Sequence, residues 1–190
     1  MIQETLITTL NSAGQAHIAP MGVHVDGDHL IILPFKPSTT LENLLSSEVA
    51  VINYCDDVRI FAGCLTGRRD WPLSAAQTIA GVYLSDTLAH CELRLIEVID
   101  DVLRPKLICQ PVHSVNHRPF QGFNRAQYAV LELAILISRL HMLPWEKIQT
   151  ELAYLTIGFE KTAGEREREA WQWLMAVIDQ HQLSQEQIAS

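Results

Sequence analysis

Along the first third of the chain, apolar and β-branched residues fall in short runs separated by turn signals, a pattern that predicts antiparallel strands. Glu4–Leu10 is the first such run and ends at the turn cluster Asn11-Ser-Ala-Gly14. His17–Val25 follows, and Asp26-Gly-Asp28 signals a hairpin, because glycine accepts the positive φ of a tight turn. His29–Pro34 returns as a nearly continuous apolar run. Two prolines then bracket a loop, and Ser38 or Thr39 can cap a short helix whose apolar face is Leu41, Leu44 and Leu45. Val49–Tyr54 reads as a strand, and Asp56-Asp57 can start a helix running to about Leu65. Residues 66–80 carry no decisive period. Glu92–Ile99 alternates as a strand, Asp100-Asp101 makes a turn, and Val102–Val115 returns with a kink at Pro105 or Pro111.

From Arg125 the period becomes helical. Arg125–Leu143 is apolar on nearly every side, as in a helix buried on several faces. Pro144 fits the first turn of a helix over Trp145–Lys161, Thr162-Ala-Gly164 breaks it, and Glu165–His181 forms another. The pattern therefore predicts an α+β protein: an antiparallel Greek-key split β-barrel of about six strands followed by a helical C-terminal subdomain. The expected division is residues 1–118 for the barrel and 119–190 for the helices.

Composition narrows the function classes. A formal charge of −8 and a pI near 5.4 argue against general affinity for nucleic acid, which needs clustered Lys and Arg. No secretory signal is evident, and the longest apolar stretch, around Ala129–Ile137, is too short to span a bilayer. The expectation is a cytoplasmic protein with no membrane association. The four cysteines, at 55, 64, 91 and 109, form no C-x-x-C pair and read as reduced thiols. His113 and His117 have H-x-x-x-H spacing, but on a strand end and loop; hydrogen-bonded or solvated imidazoles are expected there and no metal site.

The segment Lys36-Pro-Ser-Thr-Thr-Leu-Glu-Asn43 is the richest in chemistry. It places a cation, three hydroxyls and an amide at the entrance of a helix, whose free N–H groups suit a phosphate. The same Ser-Thr-Thr run also reads as an ordinary helix cap. Pro20 and Gly22 within Ile18-Ala-Pro-Met-Gly22 mark either a bulged edge strand or a close approach of a ligand to the backbone. Asn124 reads as the cap of the first long helix, and Arg125 can pair with Glu132 or reach a phosphate. No G-x-S-x-G, Walker loop, H-E-x-x-H or dinucleotide fingerprint is present, and no catalytic acid–base pair stands out.

Taken in order, Ala19-Pro-Met-Gly22, Pro34-Phe-Lys-Pro-Ser-Thr-Thr-Leu-Glu-Asn-Leu44, Val51-Ile-Asn-Tyr54 and Gly122-Phe-Asn-Arg-Ala-Gln-Tyr-Ala-Val-Leu-Glu132 resemble the FMN-binding split-barrel superfamily. That superfamily includes the flavin reductases; the resemblance is closer to a family of uncharacterised split-barrel proteins of archaea and methylotrophic bacteria. It implies FMN as cofactor. Ala19, Pro20, Met21 and Gly22 would line the isoalloxazine, and Lys36, Ser38, Thr39, Thr40 and Asn43 would grip the phosphate and ribityl chain. Asn53 would bond near the flavin or pack beneath the loop, and Arg125 would be a further phosphate contact. The resemblance also implies a homodimer with FMN at the subunit interface, and a nicotinamide cofactor, NAD(P)H, docking only transiently. The activity implied is that of a flavin-dependent oxidoreductase on an unknown small molecule. The alternatives are a flavin carrier or sensor without turnover, and a degenerate barrel that acts as an interaction module.

Overall fold

The structure is a computed structural model; it describes residues 1–189, with side chains through Ser184. Contacts divide it into two units. The first, Met1–Asp56 with Asp70–Phe120, is a closed antiparallel barrel in the order β1-β2-β3-β8-β7-β4. Its strands are β1 (Ile2–Leu10), β2 (Ala16–Asp26), β3 (His29–Ile32), β4 (Val49–Tyr54), β7 (Ala89–Ile99) and β8 (Lys106–Asn116). A short hairpin, β5 (Leu73–Ala75) with β6 (Val82–Leu84), forms a separate sheet. Helix α1 (Thr39–Ser47) joins β3 to β4. Read around the closure, β4-β1-β2-β3 is the Greek-key order that the strand pattern predicted.

Alternation along the strands builds the barrel core. Ile7, Val23, Leu30, Ile32, Ala50, Ile52, Cys91, Leu93, Leu107 and Cys109 point inward as one buried cluster, and α1 adds Leu41 and Leu44 to it. Burial pushes the Cys109 thiol up to about 12, so it remains a protonated apolar filler. Turns fall where the sequence signals them: Gly14 and Gly27 both adopt positive φ, at 75° and 59°. The irregularity expected at Pro111 is real. Register slips between Glu92 and Leu93, opposite His113 and Pro111, and again between Leu95 and Glu97.

The closure of the barrel is narrow. Strand β1 meets β4 through three residue pairs, Leu6↔Asn53, Ile7↔Ile52 and Thr8↔Val51. Asn53 reinforces it from the outer face, where it is fully buried. Its Nδ2 donates to the Leu6 carbonyl at 3.0 Å and the Thr8 hydroxyl at 3.2 Å, and its Oδ1 accepts from the Leu84 amide at 2.7 Å. The sequence pattern left 66–80 unassigned and passed over 81–91. There the chain lays β5, β6 and their connecting loop over this face, with β6 against β1 and β4.

The second unit, Asp57–Arg69 and the chain from Gln121 onward, is helical: α2 (Val58–Leu65), α3 (Arg125–Ile137), α4 (Trp145–Thr162) and α5 (Glu165–Ala189). Although α2 lies within the first 118 residues, it packs with α3 and α5, so a single cut at 118/119 does not describe the contacts. Asn124 caps α3, its Oδ1 accepting from Ala126 N at 2.7 Å and Gln127 N at 3.3 Å. Helix α3 ends at Ile137 rather than Leu143, and a 3-10 turn over Leu140–Met142 precedes Pro144. The helical core is Val58, Ala62, Ala129, Leu133, Ile148, Leu155, Leu174 and Ile178, with Phe159 and Trp171 stacked at 4.2 Å. No helix among the described residues is long and apolar enough to cross a membrane.

Replacing Asn53 by Ala orphans the buried Leu84 amide and removes a brace across the closure. The expected loss is about 2–3 kcal/mol in urea unfolding; a loss under about 0.5 kcal/mol would show that neighbouring groups or water take over these bonds.

Candidate functional site

The barrel is left uncovered beside the first part of β2. Strand β2 runs eleven residues, and β1 pairs with its entire first part. Strand β3 is only four residues long and covers β2 from Val23 to Asp26 alone. Among the described residues β3 does not extend along Ala19–Gly22. Ala19, Pro20, Met21 and Gly22 are all half-buried along this edge. The chain leaving β3 would have to continue beside them, but Leu33–Ser38 departs as a loop and enters α1. A strand edge left uncovered by its neighbouring strand and bordered by a loop and a helix N-terminus is a place where a planar ligand can meet backbone polar groups.

Around this split the residues singled out from the sequence separate into two groups. Ser38 is the N-cap of α1 and accepts from Leu41 N at 3.3 Å, so the cap reading holds for it. Thr39 is exposed beside it. Lys36 is exposed, and its ammonium pairs with Asp100, whose carboxyl that contact holds below the ordinary range. The other group turns away from solvent. Thr40 is buried, and Asn43, also buried, donates to the Thr9 hydroxyl at 3.0 Å. Asn43 is thus a bond between α1 and β1 and not a free phosphate donor. Asn53 is likewise committed to the barrel closure and packs beneath β6. Gly22 is explained by β1, since a Cβ there would lie 3.0 Å from the Ile2 side chain. Arg125 stands on α3 in the helical unit, against Gly158 of α4.

The structure adds a cation that sequence reading missed. Arg104, at the start of the chain leading into β8, donates from Nε and Nη2 to the Leu33 carbonyl at 3.2 and 3.0 Å. Its guanidinium lies 4.6 Å from the centre of the exposed Phe35 ring. Next to it, the Lys36 amide donates to the Leu103 carbonyl at 2.8 Å, so the β7–β8 connection holds the 33–36 loop by its backbone. Only the fold reveals this, because seventy residues of sequence intervene. The rim thus carries two exposed cations, an exposed aromatic ring, a free hydroxyl at Thr39 and the first turn of α1. That set suits a phosphate on an aromatic ligand.

A second polar cluster lies under the β5–β6 cover. His90 and Glu92 are fully buried on the outer face of β7. The Glu92 carboxylate accepts the amides of Gln77, Thr78 and Ile79 at 2.7, 2.8 and 3.0 Å. Burial by itself would raise its carboxyl; these donors and His90 outweigh burial and hold it below the usual carboxylate range. Burial lowers His90, which stays neutral at pH 7 in spite of Glu92 beside it. Tyr83 stacks on the His90 ring at 4.1 Å. Among the described residues no trio of His, Cys, Asp or Glu is placed to hold a metal ion.

The architecture defines the class: a split barrel of the kind shared by flavin reductases and FMN-binding proteins. The chain belongs to the DUF447 family, a protein family of unknown function; its N-terminal domain matches residues 3–118 and its C-terminal part residues 124–176. Among solved structures, an FMN-bound protein of Methanosarcina mazei from the same family superposes with a TM-score of 0.79 at 18% identity, over 93% of this chain and 94% of that one. A 2-nitrobenzoate 2-nitroreductase of Pseudomonas fluorescens gives 0.52 at 23% identity, over 60% of this chain and 64% of that one. Flavoredoxin from Methanosarcina acetivorans gives 0.52 at 14% identity, over 61% and 69%. No curated protein matches by sequence.

The Glu92 clamp makes stability depend on acid. Its folded carboxyl lies below the unfolded value of about 4.3, so its contribution is complete above that pH and is lost as pH falls through the lower folded value. Amide exchange at Gln77, Thr78 and Ile79 is expected to rise over neighbouring amides below about pH 4. Unchanged relative protection down to pH 2 would mean that the carboxylate is not what holds this loop.

Proposed function

We propose that this chain binds FMN at the split between β2 and the 33–39 loop and acts as a flavin-dependent oxidoreductase of the flavin-reductase kind. The observation that carries the reading is the half-buried Ala19–Gly22 edge, which β3 leaves uncovered next to the N-terminus of α1, with Lys36 and Arg104 on its rim. The likeness to an FMN-bound member of the same family supports it. When bound, FMN would supply the hydride and electron chemistry. Lys36, Thr39 and the first-turn amides of α1 would hold the phosphate, with Ser38 fixing the helix start. The Ala19–Gly22 edge would border the ring system, and Arg104 would hold the Leu33–Phe35 loop in place.

A second copy of the chain would complete the site. Phe35, Val102 and Leu103 are exposed beside the loop, together with Val98 and Ile99 on the same hairpin. Clustered apolar side chains of this kind mark an interaction surface. A reductant such as NADH or NADPH would dock transiently over the flavin, and the substrate would be a small molecule.

The test is FMN titration followed by desalting, for the wild type and for Lys36→Ala combined with Thr39→Ala. Both changes leave the Ser38 cap in place. The double variant is expected to bind FMN more weakly by about 2–4 kcal/mol, having lost one charged and one hydroxyl contact. Equal affinity in the two proteins would place the phosphate elsewhere. Anaerobic bleaching of the bound flavin by NADH or NADPH would support turnover; a flavin inert to both would reduce the proposal to a carrier.

A further inference from the structure

The cluster under the β5–β6 cover is more than a buried ion. Its groups form a chain from interior to surface. Glu92 is fixed at the inner end by three backbone amides, which saturate both oxygens of an ionised carboxylate. His90 Nε2 faces Glu92 Oε1 at 3.4 Å, and His90 Nδ1 faces His117 Nε2 at 2.8 Å. His117 follows the end of β8, where its amide donates to the Leu88 carbonyl at 2.8 Å, and its side chain reaches solvent. Tyr83 from β6 stacks along both imidazoles, at 4.1 and 5.1 Å and within 11° of parallel.

The donor order follows from the inner end. An ionised carboxylate only accepts, so His90 carries its proton on Nε2 and presents a bare Nδ1. His117 must then donate from Nε2, which leaves its own Nδ1 as an unprotonated lone pair at the surface. A carboxylate that orients one imidazole, which orients a second, is the arrangement that fixes tautomer and steadies positive charge when the outer ring takes a proton. Packing alone would not need this: strand position 90 would be filled as well by an apolar residue, with no polar group to satisfy.

We propose that Glu92, His90 and His117 form an acid–base relay whose outer nitrogen, His117 Nδ1, exchanges a proton with a weakly acidic O–H or N–H group of a small molecule that reaches the exposed His117 ring. In the forward step the ligand's proton moves to His117 Nδ1. His117 then carries the positive charge at the surface, its Nε2–H donating to His90 Nδ1 and His90 in turn facing the Glu92 carboxylate. The reverse sequence returns the proton. No redox change is involved and the relay does not depend on flavin. His117 is the acid–base group; His90 and Glu92 are positioning residues. The groups facing the pair are Tyr83 from β6, Glu92 from β7 and His113 from β8, whose ring lies 6.3 Å from that of His90. The neighbouring Arg118 is engaged with Asp56 and Asp86.

The test uses the whole chain without added flavin, by nitrogen NMR of the histidine rings and by acylation of His117 with diethylpyrocarbonate. His117 is expected to be the Nε2–H tautomer above its titration midpoint. His90→Phe keeps the stack on Tyr83 and the three amides on Glu92, so it reports even where Glu92→Gln fails to fold. Each variant should lower the His117 midpoint by about one unit and slow its acylation at pH 8 about threefold, since nucleophilicity follows basicity only in part. A wild-type His117 in the Nδ1–H tautomer would overturn the proposal. So would a midpoint and acylation rate that His90→Phe leaves unchanged, the result expected if the cluster is structural filling.

Discussion

Closing the barrel between β1 and β4 through only three residue pairs is the constraint on which the rest of the structure depends. A short seam fixes β1 at its middle, so β1 and β2 must run beyond the sheet on either side of it. With β3 limited to four residues by the turn into Pro34, the long β2 cannot be covered along its whole length. The edge at Ala19–Gly22 that β3 leaves uncovered is therefore a consequence of closure elsewhere. Pro20 falls on this edge, as it must, because a proline in a doubly paired strand would break a ladder bond.

The same seam explains why so much polarity is buried outside the barrel. Thr8, Asn53, His90 and Glu92 sit on outward-facing positions, which alternation alone would give to solvent. The β5–β6 excursion covers them and uses their side chains as partners for its own amides: Leu84 N on Asn53, and Gln77, Thr78 and Ile79 N on Glu92. A three-residue hairpin could not stay folded on a flat apolar patch, since its backbone groups would lack partners. The polar layer supplies them. The cover in turn gives Glu92 a buried site with three amide donors, which hold its carboxyl below the usual range.

The strand pattern showed the six barrel strands, the Ser38 and Asn124 caps and the helical tail, because each rests on local signals: alternation, turn glycines and capping side chains. It could not show the excursion over 73–84, whose stability comes from contacts with residues near 53 and 92. Nor could it show Arg104 on the 33–36 loop. At the candidate site the chemistry of Lys36-Pro-Ser-Thr-Thr was legible but its geometry was not. Asn43 looked like a surface amide, and only the path of α1 across the barrel end turns it toward Thr9. His90 and Glu92 alternated as a solvent face would, and the fold buried them.

The rim beside β2 places two cations close together on an acidic chain, as the proposed phosphate site requires. Lys36 is held near the site by Asp100, and both partners are exposed. An exposed pair of this kind contributes little to stability, so on the proposed reading a phosphate would displace Asp100 at small cost. Asp100 would then act as a place-holder that orients the ammonium and stays solvated when released. Arg104 differs, because its guanidinium is tied to the Leu33 carbonyl and packed on Phe35, and its task is to fix the loop. One exposed, ion-paired cation and one anchored cation give the loop both a charge to offer and a shape to keep. This division of labour would let a protein whose net charge is −8 hold a phosphate at the proposed site.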